Sequence, residues 1–375
     1  MIVKSPDRLL LSLVAFLLVT PVALRAQDAR SALTNFPDSN AVLYINARRV
    51  INEAVPSVVP QEVLDKALAD ARQVINLGEI DYVIAGARLK GEPSAKQLPE
   101  FLLIVRGSFS AEALLSGARM MGQNMYTQET HGAKTISVFT INKPVQPGSG
   151  DQPGGNKPAQ KFPIDQIAAT ALDANTLAIG IPSYLRDAID ASTGGGGQSR
   201  LKPDLADLVL RDANTLVSLV AEMPASASQY VRALGAPPNA EMERMLDAVR
   251  QVQLSVNMMP AAFGLQSIIR MDGSEQAQAL SGLVNMGAGF VKGEITKDLQ
   301  KKSGGEREDM TALLRVLETF TNAARNNEVV LGLTFQQAGL AEVVKRQLAP
   351  KKQLAPAAPA AKKVAPRRRG RARRR

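Results

Sequence analysis

No cysteine occurs among the 375 residues, and tryptophan is absent too. The first absence excludes a disulfide framework, a thiol nucleophile, cysteine-ligated zinc and the lipidated cysteine of a bacterial lipoprotein. The second, with aromatic residues at only 4%, leaves little for broad stacking platforms that bind sugars or bases. There is one histidine, His131. Zinc sites built on several histidines are therefore impossible, and a Ser-His-Asp triad would have to use this residue. It sits in ETHGAK between two strand-like runs, where a hairpin turn residue is expected rather than a catalytic base. No Gly-x-Ser-x-Gly elbow accompanies it. GGGGQS at 194–199 lacks the Gly-Lys-Ser/Thr of a P-loop and reads as a linker. SGGE at 303–306 reads as the end of one helix before the start of the next. No cofactor is expected. Carboxylates are plentiful, so an exported hydrolase using a carboxylate pair stands as an alternative function. Most acids, such as Glu62, Asp65 and Asp70, fall opposite an apolar helical stripe, the usual solvated position.

Charge is distributed unevenly. The formal net charge is +10, and residues 349–375 hold eleven cations with no acid: Lys351, Lys352, Lys362, Lys363, Arg367, Arg368, Arg369, Arg371, Arg373, Arg374 and Arg375. Residues 1–26 add +2 (Lys4, Arg8 and Arg25 against Asp7), so residues 27–348 carry −3. The pI of 9.8 thus belongs to the tail and says little about the folded surface. An Ala/Pro/Lys/Arg segment cannot bury a core, and 349–375 is expected to be disordered and to attract polyanions by counterion release.

The start, MIVKSPDRLLLSLVAFLLVTPVALRAQDA, has the parts of a secretory signal over 1–26. A short basic region precedes an apolar run from Leu9 to Val19, and Ala26 offers a small residue before a cut at Ala26–Gln27. The alternative is an uncleaved anchor, although the run is short of the ~20 residues that span a bilayer. No other stretch is long and apolar enough, so no transmembrane span is expected after cleavage. Export places the protein in the periplasm or envelope, where anionic lipid and envelope polysaccharide are the tail's expected partners. Nucleic acid is the alternative if the chain stays inside the cell.

Between these termini the sequence repeats. DSNAVLYIN at 38–46 resembles DANTLVSLV at 212–220, and a third copy, DANTLAIGI, occupies 173–181. In each, short polar side chains that can hold a turn precede a run of β-formers. LLIVRGSFSAEALLSG at 102–117 similarly matches QSIIRMDGSEQAQALSG at 266–282. The expected architecture is α+β: two tandem β-α-β-β-α-β-like (ferredoxin-like) repeats with mostly antiparallel sheets, helices on one face, and a disordered basic tail. The first repeat covers 27–192, with a mobile Gly/Pro loop at 143–163. A Gly-rich linker follows at 193–203, then the second repeat at 204–348. Helices are expected at about 61–76, 111–121, 239–250, 275–295, 309–325 and 337–348. The helix at 275–295 has two apolar stripes: Ala277, Leu280, Val284, Ala288 and Val291 on one side, Leu283, Met286 and Phe290 on another. It is expected to be buried twice, between sheet and neighbouring helix; the alternative is a surface for a homodimer, a protein partner or a ligand.

The N-terminus, the opening FPDSNAVLYINARRV and the duplicated DANTL strands together resemble a group of uncharacterised bacterial exported proteins. The resemblance covers roughly 36–348 and leaves out the tail. It implies a duplicated α+β body and brings no catalytic residues. The function expected is a non-enzymatic exported binding or scaffolding protein.

Overall fold

The computed structural model describes residues 29–72, 77–89, 99–122, 125–141, 164–194, 200–224, 228 and 239–348. The signal-like segment, the Gly/Pro loop, residues 195–199 of the Gly-rich linker and the tail lie outside the described residues.

Among the described residues, twelve strands form one antiparallel sheet in the order β11-β12-β10-β9-β8-β1-β2-β3-β7-β6-β5-β4. The first half supplies β1 (Ala41–Ile45), β2 (Ile80–Arg88), β3 (Glu100–Gly107), β4 (Tyr126–His131), β5 (Lys134–Thr140), β6 (Gln166–Asp173) and β7 (Thr176–Gly180). The second supplies β8 (Thr215–Glu222), β9 (Val249–Met259), β10 (Ala262–Met271), β11 (Thr321–Arg325) and β12 (Glu328–Gln336). Outward from the seam, β1-β2-β3-β7-β6 matches β8-β9-β10-β12-β11 step for step. The seam is the β1–β8 pair, with Val42 opposite Val220, Leu43 opposite Leu219 and Tyr44 opposite Ser218.

Two expectations are corrected here. There is a single sheet, because the opening strands of the two halves pair with each other. The ferredoxin-like split, in which another strand enters between parallel neighbours, is also absent among the described residues: β1, β2 and β3 form a meander, as do β8, β9 and β10. What holds is the repeated β-α-β-β-α-β-like element pattern.

Helices cover both faces, not one. On one face lie α1 (29–34), α5 (Pro182–Ser192) and α6 (Pro203–Val209), packed on Val42, Tyr44, Ile84, Leu102 and Ile104. On the other lie α2 (Ala47–Arg49), continued as a π-helical turn to Ala54, and α4 (Ala111–Met121), packed on Val83, Val105 and Leu177. Strand β3 is apolar on both sides for this reason. α3 (Gln61–Arg72) follows the π-turn. In the second half α7 (Ala240–Asp247) precedes β9, and α8 (Ser274–Leu299) packs Ala277 and Leu280 over Val252, Ile269, Val329 and Leu331. α9 (Gly305–Glu318) and α10 (Gln337–Leu348) complete the chain. The expected helix to 325 stops at Glu318, and residues 321–325 are β11 instead. Asn326, at φ 53°, makes the tight turn that lets β11 pair with β12.

Packing crosses the seam in both directions. Ala54 and Val50 of the first half sit with Leu216, Val256 and Phe263 of the second. Leu205, Leu208 and Val209 of α6 enter the first half's core. Within the expected linker, Leu201 is buried, its N–H donates to Phe36 O at 2.9 Å, and Arg200 bridges to Pro37, so its second part packs on the body.

Candidate functional site

A cleft of about 800 Å³ opens at the end of the sheet where β1 finishes and β2 and β8 begin. Local sequence explains its walls. Asn46 ends β1, and its Oδ1 accepts the Arg49 N–H at 3.2 Å, a cap that turns the chain into α2. The two arginines that follow, Arg48 and Arg49, are thereby held at the mouth. Opposite them, Asp212 Oδ1 accepts the Asn214 N–H at 2.8 Å, and this Asx turn carries Arg211 to the rim.

The floor is aromatic. Tyr44 and Tyr82 are both buried, with ring centroids 6.3 Å apart. Burial pushes the Tyr44 hydroxyl up to about 12, against the opposing pull of Arg49. The rim is charged but paired: Arg48 with Asp81 at 2.5 Å, Arg49 with Glu53 at 3.1 Å, Arg30 with Asp207 at 3.7 Å, and Arg211 with Glu328 at 3.2 Å. Arg48 Nε is buried without a hydrogen-bond partner among the described residues. The cleft can therefore hold a small molecule against an aromatic floor, with guanidinium groups at its edge. Its three lining carboxylates are all engaged: Glu53 and Asp81 by arginines, and Asp212 by the Asn214 N–H. At the back, the Thr215 hydroxyl is bonded to Asn257 Oδ1 at 3.1 Å.

His131 lies elsewhere. It ends β4 beside the turn Gly132–Ala133, where Gly132 has φ 57°, as expected of a hairpin position. Six strand spacings separate β4 from β1, roughly 29 Å. The structure adds a partner that sequence reading missed: His131 Nε2 is 2.8 Å from Asp190 Oδ1 on α5. Alongside, Arg186 of α5 holds Glu129 of β4 through both carboxylate oxygens, at 2.7 and 2.9 Å. These two pairs tie the edge hairpin to α5. A second, polar cleft of about 580 Å³ lies over β4–β6. Its Arg119 bonds Ser137 and Glu112, and its Lys134 donates to Leu172 O. Among the described residues, no three His, Asp or Glu side chains gather as metal ligands would.

The eleven tail cations singled out from sequence, Lys351 through Arg375, lie outside the described residues. The cleft residues Arg48 and Arg49 stand in the ARR that follows the opening strand. Nothing in the sequence tied them to Arg211, 162 positions on, because that proximity depends on the β1–β8 seam.

No protein-family model matches the chain, and no curated protein sequence does. Among solved structures, three crystal forms of TP0453 resemble it. Form III has 9% identity and a TM-score of 0.40, over 84% of this chain and 97% of that one. Form IV has 9% identity and 0.41, over 83% and 95%. Form I has 11% identity and 0.39, over 84% and 96%. Likeness at this level carries no inference about role.

Proposed function

We propose that this chain is a non-enzymatic, exported binding or scaffolding protein, held at anionic membrane or envelope polymer by its basic tail. The observation that carries this reading is the division of charge. The body, at −3 over 27–348, ties its arginines to its own carboxylates: Arg88 to Glu100 and Asp187, Arg186 to Glu129, Arg211 and Arg270 to Glu328. The tail, at +11 over 349–375, contains no acid to pair with. Affinity for polyanions is therefore concentrated where no folded site is needed. The signal-like parts of residues 1–26 support export, and the aromatic-floored cleft is the natural place for the body to bind a ligand. The paired state of Glu53 and Asp81 favours binding over acid–base hydrolysis.

Each basic residue near an anionic membrane contributes about 1 kcal/mol at best, within a Debye length of ~8 Å at physiological salt. The test compares the full chain with one ending at Leu348, on phosphatidylglycerol vesicles, anionic polysaccharide and duplex DNA, across a salt series. The full chain is expected to bind vesicles and polysaccharide strongly at low salt and to release as salt rises. The truncated chain should keep its circular dichroism and melting curve but lose that binding. Equal binding by the truncated chain, with the same salt slope, would place the affinity in the body. A marked preference for DNA would favour the nucleic-acid reading.

A further inference from the structure

α8 is the longest helix described, 26 residues or about 39 Å. Its counterpart after β3, α4, has 11 residues. Ala277 and Leu280 pack on the sheet, but among the described residues the stripe on the far side is left largely exposed. Met286 is 71% and Phe290 70% exposed, with Leu283 exposed beside them. Around Gly282, Gly289 and Gly293 there is open space, with no atom within 4 Å of where a side chain would begin.

The order of large and small residues on this stripe is self-complementary. At 100° per residue, positions 275, 279, 282, 283, 286, 289, 290, 293 and 297 fall within an arc of about 120°. Lay a second α8 antiparallel on the first, with Met286 meeting Met286. Phe290 of each copy then falls on Gly282 of the other, and Leu283 on Gly289. Farther out, Ala279 meets Gly293. At the ends, Glu275 in the first turn meets Lys297 in the last turn. Phe290 and Leu283 each face a glycine, Met286 meets its own copy on the axis, and charges of opposite sign meet at both ends. A surface that matches itself under a two-fold rotation is the requirement of an isologous dimer.

We propose that the exposed stripe of α8 is a homodimer interface, in which two copies pack their α8 helices antiparallel about a two-fold axis at Met286. The glycines allow the helix axes to approach to about 8 Å, the short end of the usual range. Lys297, now bonded to Glu294 on its own helix at 2.7 Å, is largely exposed and free to turn towards the second copy's Glu275. One helix pair is a small contact, so the dimer should depend on concentration. This inference does not rest on the tail or the cleft.

The cysteine-free chain makes the test clean, because a single introduced thiol reports one contact. Under mild oxidation Met286→Cys is expected to give a covalent dimer. Glu275→Cys alone should not, but should cross-link to Lys297→Cys when the two are mixed. Unmodified protein should move towards twice the chain mass in sedimentation equilibrium as concentration rises, and Phe290→Glu should remove that shift. All four positions are exposed, and circular dichroism checks that each variant folds. Self-cross-linking of Glu275→Cys would show a parallel pairing and overturn the proposal. So would a wild-type protein that stays monomeric throughout while Met286→Cys fails to cross-link. Monomeric protein that binds neutral phosphatidylcholine vesicles, and loses that binding in Phe290→Glu, would give the stripe to a membrane instead.

Discussion

Gly86 on β2 shows how one residue can be set by what lies above it. It pairs with Val42 and Leu102 at the centre of the first half's core face. A side chain there would begin 2.8 Å from Phe36 Cζ and 2.9 Å from Tyr184 Oη. Phe36 is wholly buried, and Tyr184 is held by Ser39 and by Arg88, whose guanidinium lies 4.1 Å above its ring. Neither can withdraw without breaking its own contacts. Gly86→Ala is expected to cost about 1–3 kcal/mol by overpacking. Gly117→Ala, in α4 with open space around it, should instead gain about 0.5–1 kcal/mol through helix propensity. Urea midpoints of the two variants should move in opposite directions. None of this was legible in the sequence, where both residues are single glycines inside regular elements.

At the scale of elements, Glu328 joins three parts of the second half. Its carboxylate receives Arg270 Nε of β10 at 2.8 Å and the guanidinium of Arg211, from the turn after α6, at 3.2 Å. Burial alone would raise its pKa, but the hydrogen bonds and charges of Arg270 and Arg211 outweigh it and hold the group below its ordinary value of 4.5. A folded-state pKa below the unfolded one adds stability that is present above the unfolded value and is lost as pH falls through the folded one. Glu328→Gln should therefore be less stable than wild type at neutral pH. The gap in urea midpoint should close as pH falls below 4.5 and through the lowered folded-state value, where the glutamate becomes neutral like the glutamine. A gap that stays constant over that range would mean that the amide disturbs packing rather than charge. The elements themselves were largely readable from period and capping: 111–121 and 337–348 are helices as expected, and 251–259 alternates Gln251, Gln253, Ser255 and Asn257 with apolar residues. β11 escaped because TNAAR has weak strand character, and pairing with β12 overrides local preference.

For the whole molecule, the seam makes two repeats into one cooperative body. Val220 is fully buried opposite Val42, and the core around them draws on α1, α5 and α6 together. Thermal unfolding is expected to show one calorimetric transition. Val220→Asp, which buries an unpaired charge, should lower that whole transition by on the order of 3 kcal/mol or more. Two resolved transitions, of which the substitution shifts only one, would show that the halves fold independently.

The DAN turns show where reading by sequence ends. Asp173 and Asp212 each accept the N–H two residues on, at 2.8 Å, so the motif's local chemistry follows from the residues alone. The same holds for the capping of α4 by Ser110, the hairpin at His131–Gly132 and the confinement of excess charge to the tail, since each depends on neighbours within a few positions. Which copies of the motif are equivalent does not depend on neighbours. The strand after Asp212 joins β1 at the seam, whereas the strand after Asp173 pairs with β3 two places outward. That choice, and with it the single sheet and the meeting of Arg48 with Arg211 across one cleft, belongs to tertiary structure. An exposed row of backbone donors and acceptors is satisfied by whichever strand the surrounding packing brings alongside. The exposed stripe on α8 divides the same way: its apolar spacing is written in the sequence, but only the sheet, by taking the opposite face, leaves that stripe exposed among the described residues.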